Sequence, residues 1–342
     1  MRKFGYAAAL LAAAFTASPA AAAKPGPTLT SVTDRGKVIC GANGGRPGFS
    51  GLDSKGRWQG IDVEVCRAIA AATLGDATKT ELVKVTSQTR FTALQTSEVD
   101  VLTANVTWTF SRDNNLGLDF VTPIFYDGQA FMVSKELGVE KVDDLDGATI
   151  CIEPGSTSEK IVADIFRARG MSYNPVVIED RKELNSAFFG GRCDAHVQST
   201  SGLSSGRATM ASNPDDYIIL PQIFGKDPMG PVVRQGDAQW RDIVNWVVFA
   251  LIAAEEYGIT SQNVDEMKSS DNADIARLLG TQDNLGKQLS LNADWAYQII
   301  KQVGNYGEVY ERTVGLNSPL KLERGLNRQW TDGGLLYAPP FN

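Results

Sequence analysis

Short apolar runs alternate with amphipathic stretches through the first third of the chain, and this alternation limits the possible folds more than any other feature. Lys37 to Ala42 (KVICGA) reads as a strand, and Gly60 introduces IDVEVCRAIAAATLG, apolar at helical spacing and closed by Gly75. Glu81 to Val85 is a second strand, Arg90 opens a helix carrying Phe91, Leu94 and Gln95, and Val101, Leu102 and Val106 mark a third strand. Strands joined by helices in this way build an α/β fold with a parallel sheet, in which the loops at the carboxyl ends of the strands converge.

The pattern then repeats. Phe120–Tyr126 and Gln129–Val133 are two extended segments separated by Asp127 and Gly128, which suit a hinge into a second domain. Beyond it come the strand ATICIE, the turn PGSTS, a helix from near Ser158 to Gly170, a strand at Pro175–Ile178, a helix around Arg181–Phe189 and the strand CDAHVQS. YIILPQIFGKDPMGPVVRQGD reads as a return crossing in two extended pieces, followed by a long helix over Trp240–Tyr257 and shorter ones around Ala273–Leu279 and Asp294–Val303.

Strand ends are where α/β proteins bind small molecules, so the stretch Asp100–Arg112 (DVLTANVTWTFSR) is the first candidate site. It runs from a buried strand into a polar loop that presents Asn105, Thr107 and Arg112, and an arginine there can grip a carboxylate bidentately. Arg46, in the loop NGGRPGFSG, faces either ligand or solvent, while Phe49 reads as core. Ser87 reads as a helix cap or a ligand contact, and Arg90 as a surface charge or a ligand contact. Ser156 and Glu159 fit a capping box, and the amides of Gly155–Ser158 suit an anion as well. His196, inside a strand with no nucleophile motif near it, reads as a packed residue.

The amino terminus has the form of an export signal: Arg2 and Lys3, an apolar run from Ala7 to Phe15, and small residues at Ala21–Ala23, with cleavage expected near Ala23. No later segment is long enough to span a membrane, and Ile243–Ala254 reads as a core helix. In an exported chain the four cysteines, Cys40, Cys66, Cys151 and Cys193, read as disulfides. Three pairings are possible, and their positions favour one bridge in each half. With one histidine and no CxxC spacing, a metal site is not expected. The formal charge is −7, from 33 basic and 40 acidic residues, and argues against nucleic acid.

Several motifs in order, GIDVEVCRAIA, RFTALQTSEVDVL, WTFSR, VVRQGD, RLLGT, WAYQIIKQVGNYGEVYERTVG and GGLLYAPP, resemble the extracytoplasmic solute-binding proteins of polar amino-acid ABC transporters (solute-binding protein family 3). The general L-amino-acid-binding branch is the nearest in pattern, over nearly the whole chain after the signal. The resemblance implies a two-lobed periplasmic-binding-protein fold of the type II, Venus-flytrap kind with a helical C-terminal extension. It divides the chain into a signal at 1–23, lobe 1 at 24–128, lobe 2 at 129–230, and a return to lobe 1 with the extension at 231–342. The implied protein is a periplasmic monomer without a cofactor, which captures an amino acid or related carboxylate and delivers it to a membrane ABC permease.

Residue by residue, Arg112 stands where the family's arginine grips the ligand α-carboxylate, and Asn105 and Thr107 where the amino-acid head is held. Thr157, flanked by Ser156 and Ser158, falls on the second lobe's carboxylate-binding turn. Ser87 and Arg90 resemble the SQNR segment of glutamate/aspartate binders, in which the arginine meets a side-chain carboxylate. The chain departs from the branch at Ala104, commonly arginine, and at Ser199, commonly an aspartate holding the ligand ammonium. Arg46, Arg90 and Arg112 together favour an acidic amino acid, whereas Ser199 favours a dicarboxylate. An enzyme on the same scaffold, of the dehydratase type, would need an acid or base in the cleft, and the positions named offer arginines and hydroxyls without paired carboxylates.

Overall fold

The structure, a computed structural model, describes residues 24–342, so the export signal expected at 1–23 lies outside the described residues. After α1 (Pro27–Arg35), β1 (Val38–Ala42) leads into a small ribbon of β2 (Gly45–Arg46), β3 (Ser50–Leu52) and β4 (Trp58–Gln59). Next come α2 (Ile61–Leu74), β5 (Thr80–Lys84), α3 (Arg90–Gln95) and β6 (Val101–Thr107). β1 pairs in parallel with β5 on one side and β6 on the other, the arrangement that the strand and helix periodicities demand. α2 begins with Asp62 and Glu64 in its first turn and ends at Gly75, whose left-handed conformation lets its amide bond Ala71 O. A disulfide from Cys66 in α2 to Cys40 in β1 fixes the helix on the sheet.

α4 (Phe110–Asn115) and β7 (Leu118–Phe120) precede β8 (Phe125–Ser134). Arg112 therefore sits on a short helix, not in a loop, and β8 runs unbroken through Asp127 and Gly128, taking in Phe125 and Tyr126 of the first expected piece while Phe120 ends β7. The strand is unbroken because Asp127 pairs across the sheet with Asp227, and because glycine at 128 admits Ile223, whose side chain lies 2.2 Å from where a Cβ would stand.

The second lobe holds β9 (Thr149–Ile152), α5 (Thr157–Arg169), β10 (Asn174–Val177), α6 (Arg181–Phe189), β11 (Ala195–Ser199), α7 (Thr200–Met210) and β12 (Tyr217–Ile219). β9 lies parallel to β10 and β11, and Cys151 on β9 is bonded to Cys193 just before β11. The chain returns along β13 (Phe224–Arg234), antiparallel to β8, β6 and β7. It ends in the helical part, α8 (Ala238–Glu256), α9 (Val264–Met267), α10 (Ala273–Leu278), α11 (Trp295–Val303) and α12 (Tyr306–Thr313).

One sheet, in the order β10-β9-β11-β8-β13-β6-β1-β5, thus passes through both lobes, with β8 and β13 as the shared central pair. Each lobe has its own apolar interior. In the first, Ile69, Val247, Ile299 and Tyr310 pack α2, α8, α11 and α12 together; in the second, Phe131, Val162 and Phe166 pack α5 against the sheet. His196 is buried beside Phe188, and burial pushes its pKa down to about 4, so it packs as a neutral ring.

Candidate functional site

The carboxyl ends of β1, β5 and β6 face those of β9 and β11 across a cleft floored by β8 and β13. From the first lobe come Arg46, Ser87, Arg90, Asn105 and Thr107; from the second, Glu153, Ser156, Thr157, Ser158, Arg181, Gln198 and Ser199; from the floor, Gln129, Asp227 and Met229. The space they enclose is about 20 Å³, room for roughly one water.

Bonds cross this cleft at several points, which makes the conformation a closed one. Ser87 Oγ donates to Glu153 Oε1 at 2.7 Å, Arg181 Nη1 to Asn105 Oδ1 at 3.4 Å, and the Thr107 and Thr157 hydroxyls meet at 3.4 Å. Gly155, in the left-handed region at φ +70°, lies so near the opposite lobe that a Cβ would stand 3.1 Å from Ser87 O. Outside the cleft, Lys84 Nζ bonds Asp180 Oδ2 at 2.8 Å and Thr86 Oγ1 bonds Glu179 at 2.6 Å.

Several expected residues stand in the cleft in roles different from those their sequence context suggested. Ser87 is not the cap of α3; that position belongs to Thr89, and the Ser87 hydroxyl is spent on Glu153. Arg90 is not a surface charge but is 3% exposed, with a single 3.3 Å bond from Nη1 to Ala104 O. Arg46 is likewise buried: Nη2 donates to Ser199 Oγ at 2.7 Å and to Ser201 Oγ at 2.5 Å, with the Asp127 carboxylate 3.9 Å away. Arg112 is half-buried at the mouth and does not line the enclosed space. It donates from Nη1 to Thr107 O at 3.1 Å and from Nη2 to Gly155 O at 3.2 Å, so it ties the lobes together. Arg90 and Arg112 lie over the Phe91 ring, 4.9 and 5.4 Å from its centre.

Ser156 caps α5 by accepting from Glu159 N at 3.2 Å, while Glu159 takes up the Gly155 amide at 2.8 Å, one of the donors expected for an anion. Ser158 Oγ donates to Gln129 at 2.6 Å. Asn105, at φ +51° inside β6, donates to Asp62 Oδ2 at 2.5 Å. A left-handed non-glycine residue within a strand stores strain of the kind that clusters at functional sites.

The positions named from the sequence offer no paired carboxylates, and the structure adds a group of them to the cleft. Asp62, Asp127, Glu153 and Asp227 all gather on or behind its walls, brought together from α2, β8, the end of β9 and β13. Glu153 is gripped by Arg181 Nε at 2.9 Å and Nη2 at 2.6 Å. Burial pushes Glu153 up, but Arg181, Ser87 and Arg90 together hold it below the ordinary carboxylate range. Asp62 is pushed up to about 7 by burial, opposed by Arg46 and its hydrogen bonds. Burial, and then repulsion from Asp127, raises Asp227. Burial lowers Arg90 to about 9, with Arg112 adding to the effect. It lowers Arg46 to about 10, with Arg181 adding.

Among the described residues, four buried atoms of this lining have no hydrogen-bond partner: Arg46 Nε, Arg90 Nε, Gln198 Nε2 and Asp227 Oδ1. Three are donors and one is an acceptor. A buried polar group without a partner costs on the order of 1–3 kcal/mol, so the lining suits a group rich in acceptors that also brings one donor. A larger cavity of about 700 Å³ is lined by Gly128, Ile223 and residues of the Leu322–Leu335 segment; of the four residues with unpartnered atoms it shares Asp227 alone, and none of the arginines.

The pattern of the bacterial extracellular solute-binding proteins, family 3, matches residues 38–263. The chain is 51% identical over 342 residues, covering 100% of both chains, to the glutamate/glutamine/aspartate/asparagine-binding protein of Rhodobacter capsulatus. It is 51% identical over 322 residues, covering 94% of each, to the general L-amino acid-binding periplasmic protein of Rhizobium johnstonii. Among solved structures, a periplasmic binding protein from Brucella ovis with glutathione bound superposes with a TM-score of 0.90 at 50% identity, over 93% of this chain and 100% of that one. The chain therefore belongs to the family 3 extracellular solute-binding proteins and has their two-lobed fold. It is a binding protein, not an enzyme.

Proposed function

We propose that this solute-binding protein captures an L-amino acid between its lobes in the periplasm and delivers it, as a monomer, to a membrane ABC importer. The observation that carries the reading is the set of buried, unpartnered charged groups in the cleft, above all Arg90. A ligand carboxylate answers Arg90 and Arg112, which share the Phe91 ring, and a ligand ammonium answers Asp227 Oδ1. Thr107, Asn105, Ser87, Thr157 and Ser158 shape the rest of the head-group site, and the relatives' amino-acid ligands support the same class here.

Because the closed cleft holds roughly one water, ligand enters with the lobes apart and closure follows. We assign the pivot to the crossing of β8 and β13 near Asp127 and Asp227, dividing lobe 1 at 24–128 from lobe 2 at 129–230, with 231–342 returning to lobe 1. Residues 1–23 act as the cleaved export signal.

A thermal-shift screen of purified protein with glutamate, aspartate, glutamine, neutral amino acids, dicarboxylates and glutathione tests the reading, since a ligand bound only by the native state raises the melting temperature. Amino acids are expected to raise it. A rise with dicarboxylates alone, or with none of these compounds, would sink the amino-acid reading.

A further inference from the structure

The cavity of about 700 Å³ and the cleft of about 20 Å³ are both bordered by the crossing strands, and neighbouring residues of those strands divide between them. On β8, Gln129 lines the cleft and Gly128 the cavity; on β13, Met229 lines the cleft and Pro228 the cavity, with Asp227 bordering both. Successive residues of a strand face opposite sides, so the cleft is on one side of the crossing and the cavity on the other. One side is shut while the other stands open.

The walls of the cavity belong to different lobes. Thr200, Ser204 and Ile223 come from the second lobe, and Leu326 and Leu335 from a strap at 322–335, beyond the segment 38–263 that the family pattern matches. The strap is fixed to the first lobe. Arg324 donates to both Glu255 oxygens on α8 at 2.9 and 3.1 Å, Gln329 Nε2 to Ile252 O at 3.1 Å, and the Tyr310 hydroxyl of α12 to Glu323 O at 2.9 Å. Asn327 holds the Tyr126 backbone, accepting from its amide at 2.6 Å and donating to its carbonyl at 3.1 Å, one residue before Asp127 at the assigned pivot.

The apolar side chains of these walls are left in water. Leu335 N donates to Leu326 O at 2.9 Å, which sets the two residues side by side, and they are 48% and 54% exposed. Ile223, from the other lobe, is 54% exposed and lies over Gly128. Single exposed apolar residues are ordinary on any surface, but these three line one cavity from both lobes. A rotation that widens one side of a pivot narrows the other. Opening the cleft therefore carries Ile223 toward Leu326 and Leu335 and takes their apolar surface out of water, which favours the open form.

We propose that the strap at 322–335 is a conformational counterweight to the ligand: an apolar contact with Ile223 across the rear cavity, made when the cleft opens, holds the unliganded protein open. This rests on closure about β8 and β13 as read above, and adds to it a set of residues outside the cleft that tunes affinity. A ligand that binds the closed form loses apparent affinity in proportion to the fraction of protein held open.

The test is small-angle X-ray scattering of the unliganded protein, with glutamate titration by calorimetry alongside, on the wild type, the pair Leu326→Ser and Leu335→Ser, Ile223→Ser, and all three together. The two walls are tested separately, so either variant suffices if the other does not fold. The unliganded wild type is expected to be larger than the closed structure and to contract with glutamate. Each variant should contract without ligand and bind glutamate about three- to tenfold more tightly. The combined variant should bind within about twofold of either, because losing one wall already removes the contact. Variants that match the wild type in scattering and affinity, while the wild type contracts with glutamate, would overturn the inference and leave the closure reading intact. An unliganded wild type that already fits the closed structure would overturn both. Contraction of the variants with no glutamate binding by any form would uphold the inference and count against the amino-acid reading alone.

Discussion

Arg181 and Arg90 are buried guanidinium groups in one cleft, and they differ in what answers their charge. Arg181 makes two bonds to Glu153, at 2.9 and 2.6 Å, and a third to Asn105. Arg90 makes one bond of 3.3 Å to a backbone carbonyl and has no bonded carboxylate among the described residues. Burying a charge is tolerated when a countercharge and hydrogen bonds come with it. The Arg181 side of the cleft is complete as folded, whereas the Arg90 side is completed by what enters. One arginine belongs to the architecture and the other to the ligand.

The largest effect that would break this comparison is on stability. Arg181→Met leaves the Glu153 carboxylate buried with Ser87 as its remaining side-chain partner, and is expected to cost about 3–5 kcal/mol in denaturant unfolding. Arg90→Met removes a charge that had no partner to lose, so the unliganded protein should unfold at the same denaturant concentration or a higher one. Amino-acid affinity, by contrast, should fall by about 1.5–3 kcal/mol in calorimetry. Equal destabilisation by the two variants would erase the distinction.

Much of the fold was legible in the sequence because it rests on local periodicity. The alternation of strands and helices, the two lobes and the pairing of cysteines within each half follow from neighbours along the chain. The cleft was only half legible. Arg46 stands in a glycine-rich loop, Arg90 at a helix start, and Asn105 and Thr107 toward the end of a strand, positions that mark themselves. Glu153 gave one signal, an acid closing the apolar run ATICIE, while Arg181, at the start of an expected helix, and Asp227, inside the return crossing, gave none, because only long-range packing turns them inward. The break expected at Asp127 and Gly128 failed for the same reason: β13, about a hundred residues on, supplies the pairing that keeps β8 continuous.

Arg112 falls between the two cases, and its variant should fall between them too. It is half-buried and already bonded to Thr107 O and Gly155 O on opposite lobes, so it has fewer free donors than Arg90 while helping to hold the closed form. Arg112→Ala is expected to weaken amino-acid binding about tenfold, roughly 1.4 kcal/mol, mainly by faster release measured in stopped flow. Unchanged affinity would remove Arg112 from the site and leave Arg90 to anchor the carboxylate.

The smallest effect separates two buried acids of the cleft region, Glu153 and Asp62. Glu153 is held below its ordinary range, so its contribution is complete above the unfolded carboxylate pKa and is lost as pH falls through the folded one. Asp62 is the reverse. With its pKa raised to about 7, the folded protein holds a proton that the unfolded chain releases near pH 4, and stability therefore declines as pH rises toward 7. Between about pH 6 and 7 the folded state binds on average roughly 0.7 proton more, which amounts to about 1 kcal/mol lost over that unit. Asn105 Nδ2 donates to Asp62 Oδ2, and an asparagine oxygen accepts the same bond, so Asp62→Asn keeps the contact while removing the titration. Over the same unit His196, neutral in the fold and partly protonated when unfolded, adds stability in the wild type and the variant alike, so the stability of the variant relative to the wild type should rise by about 1 kcal/mol between the two pH values in denaturant unfolding. A variant that retains the wild-type slope would place the titrating group elsewhere and leave Asp62 charged beside Asn105, with Arg46 and Arg181 as its countercharges.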